Sequence, residues 1–120
     1  MYAVAKEACR ANLTICALQE VRWTGSGAQV IEVNTGEQYE FHWSGYKRKR
    51  EAGVGLLIRQ SPDIVIGDVN YIGPRLMSAS ISIKGFNTKV IVAYAPTDAT
   101  NTYSKCKAVV LERTRQGSVR

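Results

Sequence analysis

The 120-residue chain is 45% hydrophobic and 22% charged, the balance of an ordinary soluble globular domain and not of a disordered one. Its formal net charge of +6 is unevenly spread, with an unbroken basic run at Lys47-Arg48-Lys49-Arg50 and a basic tail from Lys105 to Arg120. No apolar run approaches the ~20 residues of a membrane span, and Lys6, Glu7 and Arg10 interrupt the early apolar residues where a secretory signal needs continuity. The sequence therefore predicts an intracellular protein, nuclear or cytoplasmic, with no membrane partner. Cys9, Cys16 and Cys106 are widely spaced, which excludes a zinc cluster and reads as buried free thiols.

In chain order, residues 1–12 place Val4, Ala8 and Ala11 at helical spacing, with Lys6, Glu7 and Arg10 opposite, and Asn12 as the stop. "LTICALQEV" follows as a strand whose continuous apolar character implies cover on both faces. "RWTGSGAQVIEVNTGEQ", with Gly25, Gly27 and Gly36, reads as a long loop or weak hairpin. "YEFHWSGY" alternates aromatics as a half-buried strand, and "AGVGLLIR" is an apolar strand whose Gly53 and Gly55 admit a neighbouring backbone. "PDIVIGDV" is a strand ended by Gly67-Asp68. "RLMSASISIKG" alternates, with Ser78, Ser80, Ser82 and Lys84 on one face and Ala79, Ile81 and Ile83 on the other. "NTKVIVAYAPT" is a strand closed by Pro96, and "TYSKCKAVVLERTRQ" reads as a helix capped by Ser104 or Thr102. A helix, a strand, four or five further strands and a helix describe a mixed sheet or half a sandwich with flanking helices.

Two positions carry the chemistry. Glu20 ends an apolar strand, where sheet rims collect active-site groups; the alternative is a strand-cap glutamate paired with Arg22 or a lysine. Tyr94 ends "VIVAY", where its hydroxyl can reach a phosphate oxygen while its ring packs on the core; the alternative is a half-buried edge tyrosine. Lys47, Arg48, Lys49 and Arg50 read as a phosphate-backbone footprint, a nuclear-import-like tetrapeptide or a solvated loop. His42, the sole histidine, lies in the aromatic strand and reads as a core or surface residue instead of a general base.

Taken together, "LQEVRW", "SGYKRKREAGVGLLI", "RLMSASISI" and "VIVAYAPT" resemble, in order and spacing, the endonuclease/exonuclease/phosphatase superfamily. The resemblance is nearest to endonuclease domains of non-LTR retrotransposons and to craniofacial development protein 2-like proteins, and is strongest over residues 13–98. It implies an α/β (α+β) fold: part of a four-layered α/β sandwich, the N-terminal half, with mostly antiparallel strands and flanking helices. Residues 1–120 would form one partial domain truncated at both ends. The implied chemistry is magnesium-dependent cleavage of phosphodiester or phosphomonoester bonds, with Glu20 as the metal ligand and Tyr94 contacting the scissile phosphate. Arg75 matches an arginine near the phosphate path, and the loop at Lys47–Arg50 would approach a DNA backbone. No small-molecule cofactor is implied.

The family's asparagine-bearing first strand, its "GDFN"-like motif and its "SDH" motif have no counterpart here. Gly67-Asp68-Val69-Asn70 mimics "GDFN" but precedes the tyrosine block, the wrong place for that role. The expectation is a piece of a metal-dependent endonuclease domain that is inactive in this form; the alternative is a weak nucleic-acid-binding or nuclear protein-interaction module. A half sandwich would also expose an inner face and sheet edges able to pair with itself or another chain.

Overall fold

A computed structural model describes residues 1–95 and the backbone of 106–115. Helix α1 (Tyr2–Arg10) leads into β1 (Ile15–Gln19), β2 (Ser26–Asn34), β3 (Glu37–Ser44), β4 (Val54–Arg59), β5 (Ile64–Gly73), β6 (Leu76–Ile83), β7 (Phe86–Ala95) and β8 (Cys106–Arg115). The strands form two four-stranded sheets, ordered β1-β4-β3-β2 and β5-β6-β7-β8, with every pairing antiparallel. The fold is α+β. No helix among the described residues is long and apolar enough to cross a membrane.

The helix ends because Asn12 takes a left-handed backbone (φ 59°). That turn lets the Asn12 and Leu13 amides donate to the carbonyls of Cys9 and Ala8, satisfying two acceptors the last turn leaves open. The expected apolar face is met at Ala8 and missed at Val4 and Ala11, which are exposed. Ala5 and Ala8 are the buried pair, flanked by Met1 and Cys9, while Val4 is exposed. Small alanines let the helix lie close to the sheet, against Ile31, Val33, Tyr39, Phe41 and Leu57.

The other face of the first sheet meets the second sheet. Val54, Leu56 and Ile58 of β4 pack on Met77, Ala79 and Ile81 of β6 and on Val90, Val92 and Tyr94 of β7. β4 is thus covered on both sides, which is why its apolar run does not alternate. This overturns the expectation of an exposed inner face: both packed sheets lie within this chain.

Three local readings also change. The stretch read as a loop or weak hairpin holds the nine-residue β2, which turns through Gly36 (φ 82°) into β3. Gly67-Asp68 does not end a strand; β5 absorbs the pair as a β-bulge between Ile66 and Val69 and continues to Gly73. Lys84 leaves the serine face and, with Gly85, forms a two-residue turn with both φ positive, which suits the twist of a hairpin.

The C-terminal helix is replaced by β8, paired with β7 from Phe86↔Arg115 to Ala95↔Cys106. Local content allowed a helix, but Val109, Val110 and Leu111 also suit a strand, and β7 offers a full row of backbone partners. Ser104, Thr102 and Pro96 lie outside the described residues. Among those described, one helix is present where flanking helices were expected. Cys9 and Cys16 are free and half-buried, not fully buried.

Candidate functional site

One end of the sandwich gathers the candidate residues. It is built from the last residues of β1, β3 and β7, the start of β4 and the β5–β6 turn. Four hydrogen bonds cross between the sheets here. The Gln19 side-chain amide donates to the Ala93 carbonyl at 3.1 Å. The Tyr94 hydroxyl donates to Glu20 Oε1 at 3.2 Å. Ser44 Oγ donates to the Gly73 carbonyl at 2.7 Å, and the Gly53 amide donates to the Pro74 carbonyl at 3.0 Å. The body of the interface is apolar, so these contacts set how the rims meet.

Backbone conformation explains how Glu20 reaches Tyr94. Along β1, Ile15 and Ala17 face the second sheet, whereas Cys16 and Leu18 face the helix side. Regular alternation would send Gln19 toward the second sheet and Glu20 away from it. Instead Glu20 is left-handed (φ 54°), and its carboxylate comes round to the inter-sheet side beside Tyr94. Arg22 (φ 58°), Ala52 (φ 54°) and Gly53 (φ 89°) share that conformation. Val21 and Arg22 donate their amides to the carbonyls of Gly53 and Ala52, so two kinked segments hold each other. A left-handed non-glycine residue costs on the order of 1–3 kcal/mol, and such residues persist where surrounding structure over-determines them, often at functional sites.

Tyr94 is 8% exposed: its ring belongs to the core between the sheets and its hydroxyl meets the rim. Its amide donates to the Arg75 carbonyl at 2.9 Å, which fixes the Arg75 backbone alongside, with the side chain exposed. The segment carrying Lys47–Arg50 leaves from the same end. The Gly25 amide donates to the Tyr46 carbonyl and the Gly45 amide to the Gly25 carbonyl, binding the base of the basic loop to the segment after Glu20. A methyl group on Gly45 would run into the Trp23 carbonyl oxygen, so this crossing needs glycine. Lys47, Arg48, Lys49 and Arg50 are all exposed. Lys49 lies 4.0 Å from Glu51 and over the Tyr46 ring at 4.8 Å, contacts weak enough in water to leave the run solvated.

The structure therefore brings Glu20 and Tyr94 into contact and sets Arg75 and the basic run around the same end. His42 is held elsewhere. It is buried, with Nδ1 2.9 Å from the Tyr71 hydroxyl and Nε2 2.8 Å from Glu40 Oε1, and Glu40 Oε2 accepts from Gln60 at 3.2 Å. Burial, then the Glu40 carboxylate, pushes the Tyr71 hydroxyl above the ordinary phenol range. Both ring nitrogens of His42 are engaged, as befits a structural histidine. Asp68 sits exposed in the β5 bulge, and the Asn70 side-chain amide donates to Ser78 Oγ at 3.2 Å; neither lies with Glu20.

Magnesium seeks oxygen ligands, keeps several waters and is commonly held by one or two carboxylates. Among the described residues no three His, Cys, Asp or Glu side chains cluster. The rim offers the Glu20 carboxylate and, next to it in sequence, Gln19 Oε1, a buried oxygen with no hydrogen-bond partner among the described residues. The Glu20 carboxylate suits one position of a magnesium shell, with the other positions left to water and to further oxygen ligands.

Residue-by-residue reading of the sequence missed the left-handed turn at Glu20, the cross-sheet bond of Gln19, and an aromatic cluster of Trp23, Phe41 and Trp43 beside the rim. The signal for the last was a tryptophan three residues beyond Glu20 and two aromatics in alternation on β3.

The described fold is a two-sheet antiparallel sandwich with a polar, kinked rim that joins a carboxylate to a tyrosine hydroxyl. Over 94 residues, 78% of the chain, it is 33% identical to craniofacial development protein 2 of Bos taurus and 32% identical to that of Tragulus javanicus. The matched segment spans 15% and 16% of those two proteins. No protein-family model matches the chain, and no solved structure matches it.

Proposed function

We propose that this chain is the Glu20–Tyr94 portion of a divalent-metal-dependent phosphodiesterase domain of the endonuclease/exonuclease/phosphatase type, and that its 120 residues bind a nucleic-acid backbone without cleaving it. The 3.2 Å contact between Tyr94 and Glu20, made by a strained backbone at a sheet rim, carries the reading. The similarity to craniofacial development protein 2 and the order of the four sequence blocks support it.

In this reading Glu20 offers a carboxylate to magnesium; Tyr94 orients that carboxylate in the free chain and turns its single hydroxyl proton to a phosphate oxygen once the metal holds the carboxylate. A bound divalent ion would supply charge neutralisation at the phosphate. Arg75 and Lys47–Arg50 add sequence-independent attraction for the backbone. Cleavage needs more: a group that activates water and one that assists the leaving oxygen, each typically worth ~10²–10⁴-fold. The "GDFN"-like and "SDH" motifs that would bring them do not occur in this sequence, and His42 is committed to Glu40 and Tyr71.

Supercoiled-plasmid nicking with magnesium and with chelator tests the claim, using the chain and Glu20→Ala. The expected result is no magnesium-dependent nicking by either protein. Nicking that requires magnesium and disappears in Glu20→Ala would show a complete catalyst and overturn the binding-only reading. Duplex DNA affinity should weaken as salt rises, with a log–log slope that becomes shallower by roughly 0.9 for each phosphate contact removed when Lys47–Arg50 are changed to alanine. Affinity indifferent to salt would contradict a backbone mode.

A further inference from the structure

Trp23, Thr24, Trp43 and Arg50 line a surface cleft of about 330 Å³ beside the rim. Both indoles are half-buried. Trp23 stands edge-on to Trp43, with ring centroids 4.8 Å apart, and edge-on to Phe41 at 5.0 Å, while Phe41 and Trp43 stack at 5.6 Å. The rings are thus braced from within and present an aromatic wall outward. Trp43 Nε1–H already donates to the Thr24 carbonyl at 3.1 Å, so this indole offers a cleft occupant its π surface and not a hydrogen bond. The fourth wall is Arg50, the last member of the basic run, whose guanidinium plane can stack as well as carry charge.

From this juxtaposition we infer that the cleft is a stacking pocket for an unpaired nucleobase, taken from a single-stranded segment whose phosphates lie along Lys47–Arg50. The inference rests on the nucleic-acid reading above and adds to it a preference for unpaired over duplex strand. Charge decides against other aromatic-lined ligands. A wall of aromatic rings also suits a quaternary or methylated ammonium, but here Arg50 and its three basic neighbours repel a cation. A nucleotide supplies what this site complements: a flat π system for the indoles and an anion for the basic run, the combination found in sequence-tolerant single-strand binding. Trp43, its N–H already engaged, contributes ring surface to the occupant and no hydrogen bond to a base edge.

The test compares fluorescence anisotropy of labelled oligo(dT), a duplex of equal length, and an oligonucleotide of the same length made of abasic residues, in low salt and without magnesium. The intact chain should bind oligo(dT) about 5- to 150-fold more tightly than the abasic strand, the span expected for one stacked base. That comparison needs no variant. Trp23→Leu should lose most of this difference and leave duplex affinity unchanged. Trp23→Phe, which keeps a ring, should retain most of it. Arg50→Ala should weaken all three ligands and oligo(dT) most.

Equal affinity of the intact chain for oligo(dT) and the abasic strand overturns the pocket and leaves the phosphodiesterase reading standing. Failure to bind any of the three ligands overturns both. Tighter binding of a trimethyl-lysine peptide than of oligo(dT) also overturns the pocket, because it would show the cleft to be a cation cage.

Discussion

Two carboxylates are linked to a tyrosine across the gap between the sheets, Glu20 directly and Glu40 through His42, and they are built in opposite ways. Glu40 and His42 lie two apart on the regular strand β3, so they share a face without distortion, and Tyr71 and Gln60 close the network around them. Glu20 meets Tyr94 only because its backbone is turned into a left-handed conformation, beside three more such residues. The first arrangement is relaxed and satisfied, which marks a polar clasp in an apolar interface. The second is strained and placed at a rim edged by exposed basic residues. A chemist counting titratable groups would choose the histidine as the active group; the left-handed backbone at Glu20 is the observation behind proposing that carboxylate instead.

Substitutions should separate the two regions. His42→Ala leaves the buried Tyr71 hydroxyl and Glu40 without their shared partner, and should lower unfolding free energy by about 3 kcal/mol in a urea titration, with DNA affinity per folded molecule unchanged. A loss below half that size would show the network to be wet and unimportant. Gly55→Ala attacks the packing next to the clasp. A methyl group there would sit 2.7 Å from Phe41 Cε1 and 3.1 Å from the His42 carbonyl oxygen, so the strand must shift, at about 1–3 kcal/mol. Thermal unfolding of that variant should move down accordingly.

The pH dependence is smaller and has a defined sign. Tyr71 is held above its ordinary value of 10.0, chiefly by burial, so the folded chain keeps its proton longer than the unfolded chain. The stabilisation is complete below about pH 10 and is lost as pH rises through the folded value. Tyr71→Phe should flatten this part of the alkaline stability profile, read as urea midpoints from pH 8 to 11. The smallest effect falls at the rim. Glu20→Gly removes the bond from Tyr94 but relieves the left-handed strain, so the two terms, each on the order of 1 kcal/mol, nearly cancel. Its unfolding midpoint should stay near that of the intact chain. A fall as large as that of His42→Ala would erase the contrast between a structural clasp and a site held under strain.

Much of this could be read along the chain, and the exceptions share a cause. The β4 run and the β6 alternation announced themselves because burial on two faces or one writes directly into residue pattern. Asn12 announced the helix end by its tolerance of a left-handed backbone. The segment 106–115 misled because its content suits two conformations and the choice belongs to β7, whose open edge it completes. Glu20 and Tyr94 could each be nominated, but not their contact, since 74 residues separate them.

By itself the sequence determined the apolar strands, the helix stop at Asn12, the basic run and the candidacy of Glu20 and Tyr94, all local consequences of side-chain chemistry and spacing. Tertiary structure alone decided that two sheets close on one core within this chain, that His42 is a clasp, and that Glu20 turns inward to meet Tyr94. These depend on which distant backbone groups become partners. A carboxylate's direction follows from the φ of its own residue, and that angle is imposed by the segments hydrogen-bonded beside it.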